Sequence, residues 1–415
     1  MLSYFFLGYG YFILLSMTFK NKTKIVIFIT ITLVLDTAGF GIIFPILPDL
    51  LKELLHEDLS HAAKFAGILA LAYALMQFIF APIIGYISDQ YGRRRVLLFS
   101  LLGFSLDCFF MAFASTYELL VVGRIIAGIT GATFAVASAA IVDISTEDER
   151  TKYFGYLHAA FALGFILGPL MGGILGEYNL RLPFVFTGCL TLINMCFGYF
   201  YFPETNQNQG KTPFAFTIPF KQWKDMRSIE NLGILLVVFF FLALASHSME
   251  STWSFYTLGK YDWSKQQIGL SLTVIGILTF LIQTYFIQFV SKYLTDQQLI
   301  TWGIVFSIGG LLLISFSSSP FISWMGMILY LIGSIQQTGF QSLLSKMVQE
   351  NKQGILQGIL SSINGLTTLL GPLLFTYLFY AFSKPENTFI FHGISFFVAA
   401  VFCFLALIVF KKQSR

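Results

Sequence analysis

Three ionisable residues lie deep inside apolar runs. Asp36 interrupts "ITITLVLDTAGFGIIF", Asp107 interrupts "LFSLLGFSLDCFFMAFA", and Arg124 interrupts "LLVVGRIIAGIT". A charged side chain at mid-bilayer costs about 2.5–3.5 kcal/mol or more, so a charge kept there usually has a function. Counting helix rise along the runs puts the three at comparable depth. Two carboxylates around one guanidinium leave one acid in excess. Desolvation favours the neutral form of that acid and the guanidinium favours its anion. A group balanced in this way can take up and release a proton. Asp36 is the expected proton- or substrate-bearing carboxylate, with Arg124 tuning it; the other reading is a static ion-pair network that holds the bundle together. His247 and Glu250, one turn apart near the outer end of another run, either join this cavity or form an interfacial pair. Gln77 and His158 are candidates to face the cavity, or else make helix–helix hydrogen bonds.

The elements that must hold these residues follow from composition. The chain is 56% hydrophobic, 17% aromatic and 11% charged, against roughly a quarter charged in soluble domains. Runs of ~20 apolar residues, the length a helix needs to cross a bilayer, recur throughout. The expectation is an all-α membrane protein with twelve spans, at roughly 25–47, 65–87, 95–114, 118–141, 153–176, 183–202, 231–254, 267–290, 299–318, 320–344, 355–381 and 389–410. Loops are short apart from Glu57–Lys64 and Pro203–Glu230. The domains read as an N-terminal extension 1–22, a six-helix bundle 23–203, a linker 204–230 and a second six-helix bundle 231–415. Within the extension, Met17 is a plausible true start, and an interfacial segment is the alternative.

An even number of spans puts both termini on one side. Eighteen of the 25 Lys and Arg fall on that side, six fall opposite and Arg124 lies within a span. Basic loops stay in the cytoplasm, so both termini and the linker are expected there. The four cysteines all fall in apolar runs with no disulfide or metal spacing. A net charge of +4 is too mild and dispersed to imply nucleic acid. No nucleophile–base set, phosphate loop or metal spacing points to an enzyme or to a cofactor.

"YFGYLHAAFALGFILGPL" (153–170) and "LQGILSSINGLTTLLGPL" (356–373) align without gaps at an offset of 203. Such repeats suggest two facing bundles with a site between them near the midplane. In the loop between spans two and three, "GYISDQYGRRRVLL" packs its charges around two glycines. Gly85 would permit close helix packing. Gly92 would permit the positive φ of a tight turn. Asp89 can pair with arginine. In span four, Gly123, Ala127, Gly131, Ala135 and Ala139 recur every four residues, a stripe that lets another helix approach. In span five, Gly164, Gly168, Pro169, Gly172 and Gly173 leave room for a neighbour and soften the helix.

The loop resembles the major facilitator signature G-x-x-x-D-x-x-G-R-R/K, read here as Gly85, Asp89, Gly92, Arg93 and Arg94. The resemblance implies a cytoplasmic gate made by these residues with Asp143 at the end of span four. "LDTAGFGIIFPILPDLL", "GRIIAGITGATFAVASAAIVD" and "GFILGPLMGG" resemble twelve-span drug/proton antiporters. "LALAYALMQFIFAP" and "GILQGILSSINGLTTLLGPLLFT" resemble bacterial tetracycline/proton antiporters, over about residues 20–410. The family ties the segment Gly164–Gly173 to export direction and leak-tightness; plain packing explains it equally well. Two departures fall in the second half. Ser307 stands where those antiporters carry Asp in span nine, and His247 and Met249 replace the Gln and Pro of their span-seven motif. The second loop copy, Ser291–Gln298, is degenerate. The resemblance implies a major facilitator fold, a proton gradient as energy source, no cofactor, a functional monomer and a multi-pass place in a bacterial inner membrane. It implies export of a small amphipathic molecule, a drug or tetracycline-like compound. The alternatives are an importer or facilitator, or an exporter of an endogenous metabolite such as a siderophore.

Overall fold

In lipid every backbone N–H and C=O must be satisfied within the protein, so apolar runs of this length fold as helices. The computed structural model describes residues 2–206, 210, 231–349 and 352–413, with side chains placed from Lys22 to Lys412. Residues 1–21 and most of the linker, 207–209 and 211–230, therefore carry no side-chain account, and the expectations about the extension and the linker fall outside the described side chains.

Eleven helices among the described residues are long and apolar enough to cross a membrane. In the first half they are span one (Lys22–Leu55), two (Leu59–Tyr91), three (Arg93–Phe113), four (Tyr117–Ile144), five (Glu147–Tyr178) and six (Leu182–Tyr201). In the second they are span seven (Leu232–Tyr261), eight (Lys265–Val290), nine (Asp296–Phe316), eleven (Gln353–Phe382) and twelve (Ile394–Lys412). The tenth position holds two shorter helices, Pro320–Gly333 and Ile335–Met347. One expected span is thus a broken one.

Span four breaks too, between Thr130 and Thr133. The two breaks are related by the internal repeat. Tyr117 and Pro320 open the paired helices, Thr130 and Gly333 close them, and each pair is 203 residues apart. Spans three and nine, Arg93–Phe113 and Asp296–Phe316, keep the same offset at both ends. Span eight contains a π-helical stretch at Ile282–Phe286.

Several helices outrun their apolar windows. Span one continues through Pro45 and Pro48 to Leu55, because Leu50 and Leu51 are fully buried and keep the segment packed past the hydrocarbon edge. The expected loop Glu57–Lys64 is mostly helix. Asp58 caps span two, its Oδ1 accepting from His61 N–H at 2.8 Å, the Ser60 hydroxyl at 2.8 Å and His61 Nδ1 at 2.9 Å. Burial works to raise the Asp58 carboxyl, but these bonds outweigh it and hold the group below its ordinary value.

The two halves touch unevenly. At the end carrying the Asp58 turn, Lys265 Nζ of span eight lies 3.4 Å from Asp49 of span one. Thr273 of span eight donates to the Ile166 carbonyl of span five at 3.3 Å. The His61 ring sits edge-on to Tyr380 of span eleven at 5.0 Å. At the other end, rich in Lys and Arg, the ion pairs Arg93–Asp89, Arg93–Asp143, Lys22–Glu149 and Lys346–Asp296 each stay within one half. A Cβ built at Gly85, Gly155, Gly354 or Gly358 would meet nothing within 4 Å. The bundle is therefore open at its basic end. The close helix packing expected at Gly85 is absent among the described residues, where an added Cβ meets nothing within 4 Å.

Span five packs on span one through bare backbone. A Cβ at Gly168 would lie 2.3 Å from the Ala38 carbonyl oxygen, and one at Gly173 would lie 2.7 Å from the Lys265 carbonyl of the other half.

Two predictions follow from this packing and capping. Gly168→Ala overpacks a backbone contact, which costs about 1–3 kcal/mol, while Gly155→Ala is neutral; thermal unfolding in detergent should show a lowered midpoint for the first alone. The depressed Asp58 carboxyl contributes stability that is full above about pH 4 and is lost as pH falls through its lower folded value. Asp58→Asn should keep the cap and lose that acid dependence, whereas Asp58→Ala should cost about 1 kcal/mol at neutral pH. Unfolding curves of the three proteins between pH 3 and 7 test this.

Candidate functional site

Between the halves lies a cavity of about 360 Å³. Asp36, Asp107 and Arg124 all line it, as do Gln77, His247 and Glu250. Its walls carry the rings of Phe40, Phe44, Tyr73, Phe104, Phe134 and Phe161. A site with apolar walls and a few convergent polar groups suits a small organic ligand.

The charges divide differently from the expected arrangement of two acids around one guanidinium. Arg124 pairs with Asp107 alone, through Nε at 3.1 Å and through Nη2. Asp107 is fully buried and Arg124 is 8% exposed. Both Arg124 bonds point at span three because Gly123, beside it in sequence, lets spans three and four meet; a Cβ there would sit 3.0 Å from Asp107 Oδ1. The guanidinium also lies over the Tyr73 ring, 5.6 Å from its centroid. Asp36 instead accepts from the Thr133 hydroxyl at 3.3 Å.

The break in span four explains that partner. A helix interrupted at Gly131 leaves carbonyls unpaired. Gln77 Nε2 donates to the Gly131 carbonyl at 2.9 Å and to the Tyr73 hydroxyl at 3.1 Å. The next helix starts at Thr133, which turns its hydroxyl to Asp36. Gln77 thus serves both readings given above, lining the cavity and bonding between helices. The small-residue stripe of span four is not continuous helix, since Gly131 lies at the break.

His247 and Glu250 lie halfway along span seven, not near its outer end, because that helix runs on to Tyr261. Their side chains are 3.5 Å apart, with Glu250 55% exposed into the cavity. His158 is exposed and does not line the cavity; its ring lies 6.2 Å from that of Phe134, which does.

At the basic end, Gly92 has φ 101°, the left-handed conformation expected of it. Arg93 bridges Asp89 at 2.5 Å and Asp143 at 3.2 Å, tying the start of span three to the ends of spans two and four. Arg94 does not join this bridge. It bonds the Tyr199 carbonyl and lies over the Tyr199 ring at 5.7 Å. Sequence reasoning missed Glu204. Its carboxylate accepts from Arg93 N–H at 2.8 Å and Arg94 N–H at 3.2 Å, capping span three from beyond the end of span six. Thr133 and Tyr73 were missed as well. The i,i+4 relation of Tyr73 to Gln77 was the signal available for the latter. No group of His, Cys, Asp and Glu suited to a metal ion occurs among the described residues.

Eleven membrane-length helices and a broken tenth span among the described residues, enclosing a cavity with buried charges, define the architecture of a membrane transporter. A family model described as Major Facilitator Superfamily matches residues 29–334 and 250–414, and the chain belongs to that superfamily. The class C tetracycline resistance protein of Escherichia coli is 36% identical over 394 residues, covering 95% of this chain and 97% of that protein. The quinolone resistance protein NorA of Staphylococcus aureus is 28% identical over 359 residues, covering 85% of this chain and 89% of that protein. In structure, an inward-facing bacterial homologue of the human lysosomal transporter Spinster superposes with a TM-score of 0.76 at 14% identity, over 95% of this chain and 97% of that one. The human organic anion transporter MFSD10 gives 0.67 at 20% identity, over 94% and 99%.

Removing one partner of a buried ion pair leaves the other charge stranded, at roughly 3–5 kcal/mol. Asp107→Asn should therefore lower the unfolding midpoint sharply, and Asp107→Leu combined with Arg124→Leu should recover most of the loss. A double-mutant cycle by thermal unfolding in detergent measures it.

Proposed function

We propose that this protein is a proton-coupled exporter of small amphipathic molecules, drugs or tetracycline-like compounds, that works by alternating access. The observation that carries the reading is Asp36. It faces an aromatic-walled cavity with a single hydroxyl as its hydrogen-bond partner, while the Arg124 guanidinium beside it is committed to Asp107. A carboxyl in that position is the exchangeable one of the three charges. The 36% identity to a tetracycline resistance protein across nearly the whole chain supports a drug-like substrate.

The rest of the mechanism is assigned on the same basis. Halves 23–203 and 231–415 act as the two moving bodies, with the linker, both termini and the basic end in the cytoplasm of a bacterial inner membrane. With that end open, a substrate enters from the cytoplasm and Asp36 gives up its proton there. Closure of the basic end and opening of the Asp49–Lys265 end release the substrate outside and let Asp36 reprotonate. Glu250 with His247, across the cavity, is the second titratable pair. The Arg93–Asp89–Asp143 bridge keeps spans two, three and four moving as one body at the gate. Each proton moved inward is worth about 2.3 kcal/mol per 100 mV, so the gradient suffices without a cofactor or a catalytic site, and one chain is the functional unit.

Inverted membrane vesicles test this. They are energised, a pH-sensitive dye is followed, and tetracycline and other amphipathic drugs are added. The expected result is drug-induced dequenching that falls at least tenfold in Asp36→Asn at equal protein level. Full coupled exchange in that variant would remove Asp36 from the mechanism.

A further inference from the structure

The second half contains a chamber of about 390 Å³, separate from the central cavity but meeting it at His247 and Thr368, which line both. That volume lies in the range of small-molecule sites. Its lining is unlike the rest of the membrane interior. Five carboxamides face it: Gln336, Gln337, Gln341, Gln357 and Asn364. Among the described residues no carboxylate, lysine or arginine lines it. On span eleven, Gln357, Ser361, Asn364 and Thr368 follow the i, i+4, i+7, i+11 spacing of one helix face. A stripe of that kind, inside a hydrocarbon slab, must look onto a polar space.

These amides are not consumed by holding helices together. Among the described residues, the hydrogen bond a lining carboxamide makes runs from Gln336 Nε2 to the Ser307 hydroxyl, at a long 3.5 Å. Gln336 Oε1 and the Ser334 hydroxyl are buried without a partner. Buried polar atoms normally find partners, and leaving one unsatisfied is unfavourable. The break in span ten at Ser334 turns this corner of the chamber inward. Ser307 also lines the chamber and presents a hydroxyl, not a charge.

We infer that this chamber is a second recognition subsite, taking the uncharged, oxygen-rich edge of a ligand whose apolar body fills the central cavity. A carboxamide offers both two N–H donors and an acceptor oxygen, so five of them suit an edge of mixed hydroxyl, keto and amide groups. They offer nothing to a bare cation. The inference rests on the transport reading above and names the substrate class for it.

The test is binding to the purified full-length protein in detergent, by calorimetry, with two probes. Tetracycline carries a row of hydroxyl and keto oxygens along one edge. Tetraphenylphosphonium is an apolar cation with no hydrogen-bonding group. The variants are Gln336→Leu and, from a different helix, Gln357→Leu. The expected result is a loss of tetracycline affinity of about tenfold in each, with tetraphenylphosphonium bound within twofold of wild type, which also shows that the variants are folded. Equal loss for both probes, or no loss for tetracycline, overturns the subsite. Wild type that binds the cation and not tetracycline also overturns it while leaving a drug transporter standing. Wild type that binds neither probe removes the transport reading, and the subsite with it.

Discussion

A guanidinium inside a hydrocarbon slab must be paired, and Arg124 finds its partner in Asp107. The glycine next to it in sequence brings spans three and four close enough for both bonds. Much of the first half follows from that arrangement. With the arginine satisfied, Asp36 has no cation claiming it and needs another polar neighbour. Thr133 supplies one at the start of the helix after the break in span four, and Gln77 reaches across from span two to the freed Gly131 carbonyl. Remove any member and an uncompensated polar group is left inside the membrane, where water is not at hand to replace the lost bond.

The same constraint explains how the halves meet. Within the first half, spans five and one pack through glycine backbones, and across the halves span five meets span eight in the same way at Gly173 and Gly269. Contacts of this type rely on close van der Waals approach with little polar cost. The polar ties between the halves among the described residues include Asp49 with Lys265 and Thr273 with the Ile166 carbonyl, while the ion pairs of the basic end each stay within one half.

Much of this was legible in the sequence. The charges within apolar runs marked the cavity, the offset of 203 residues marked the two halves, and Gly92 marked its own positive φ. Other features were hidden for identifiable reasons. The breaks in spans four and ten contain no proline, and the glycines there, Gly131 and Gly333, are two among many in these helices, so neither stands out in hydropathy; Gln77, whose side chain bonds the Gly131 carbonyl, lies 54 residues away. Glu204 lies beyond the last apolar residue of span six, in a stretch that reads as linker, and acts on a helix that begins 111 residues earlier. The three residues of the expected cluster line one cavity, but Arg124 pairs with Asp107 and not with Asp36, because pairing depends on which helix faces meet. The amides of spans ten and eleven each look incidental alone, and only their helical spacing sets them apart.

Gly85, Gly155, Gly354 and Gly358, four of the five described glycines where an added Cβ meets nothing within 4 Å, have an effect that appears in no contact of this conformation. A methyl group at Gly85, Gly155, Gly354 or Gly358 has room here. A conformation that closed this end would bring those bare backbones nearer the opposite half, where the same methyl would have less room. A ligand or a substitution shifts a two-state equilibrium only by its differential effect on the two states. These positions therefore act as a selective dial on the poise between open and closed, adjustable without disturbing the integrity of either bundle.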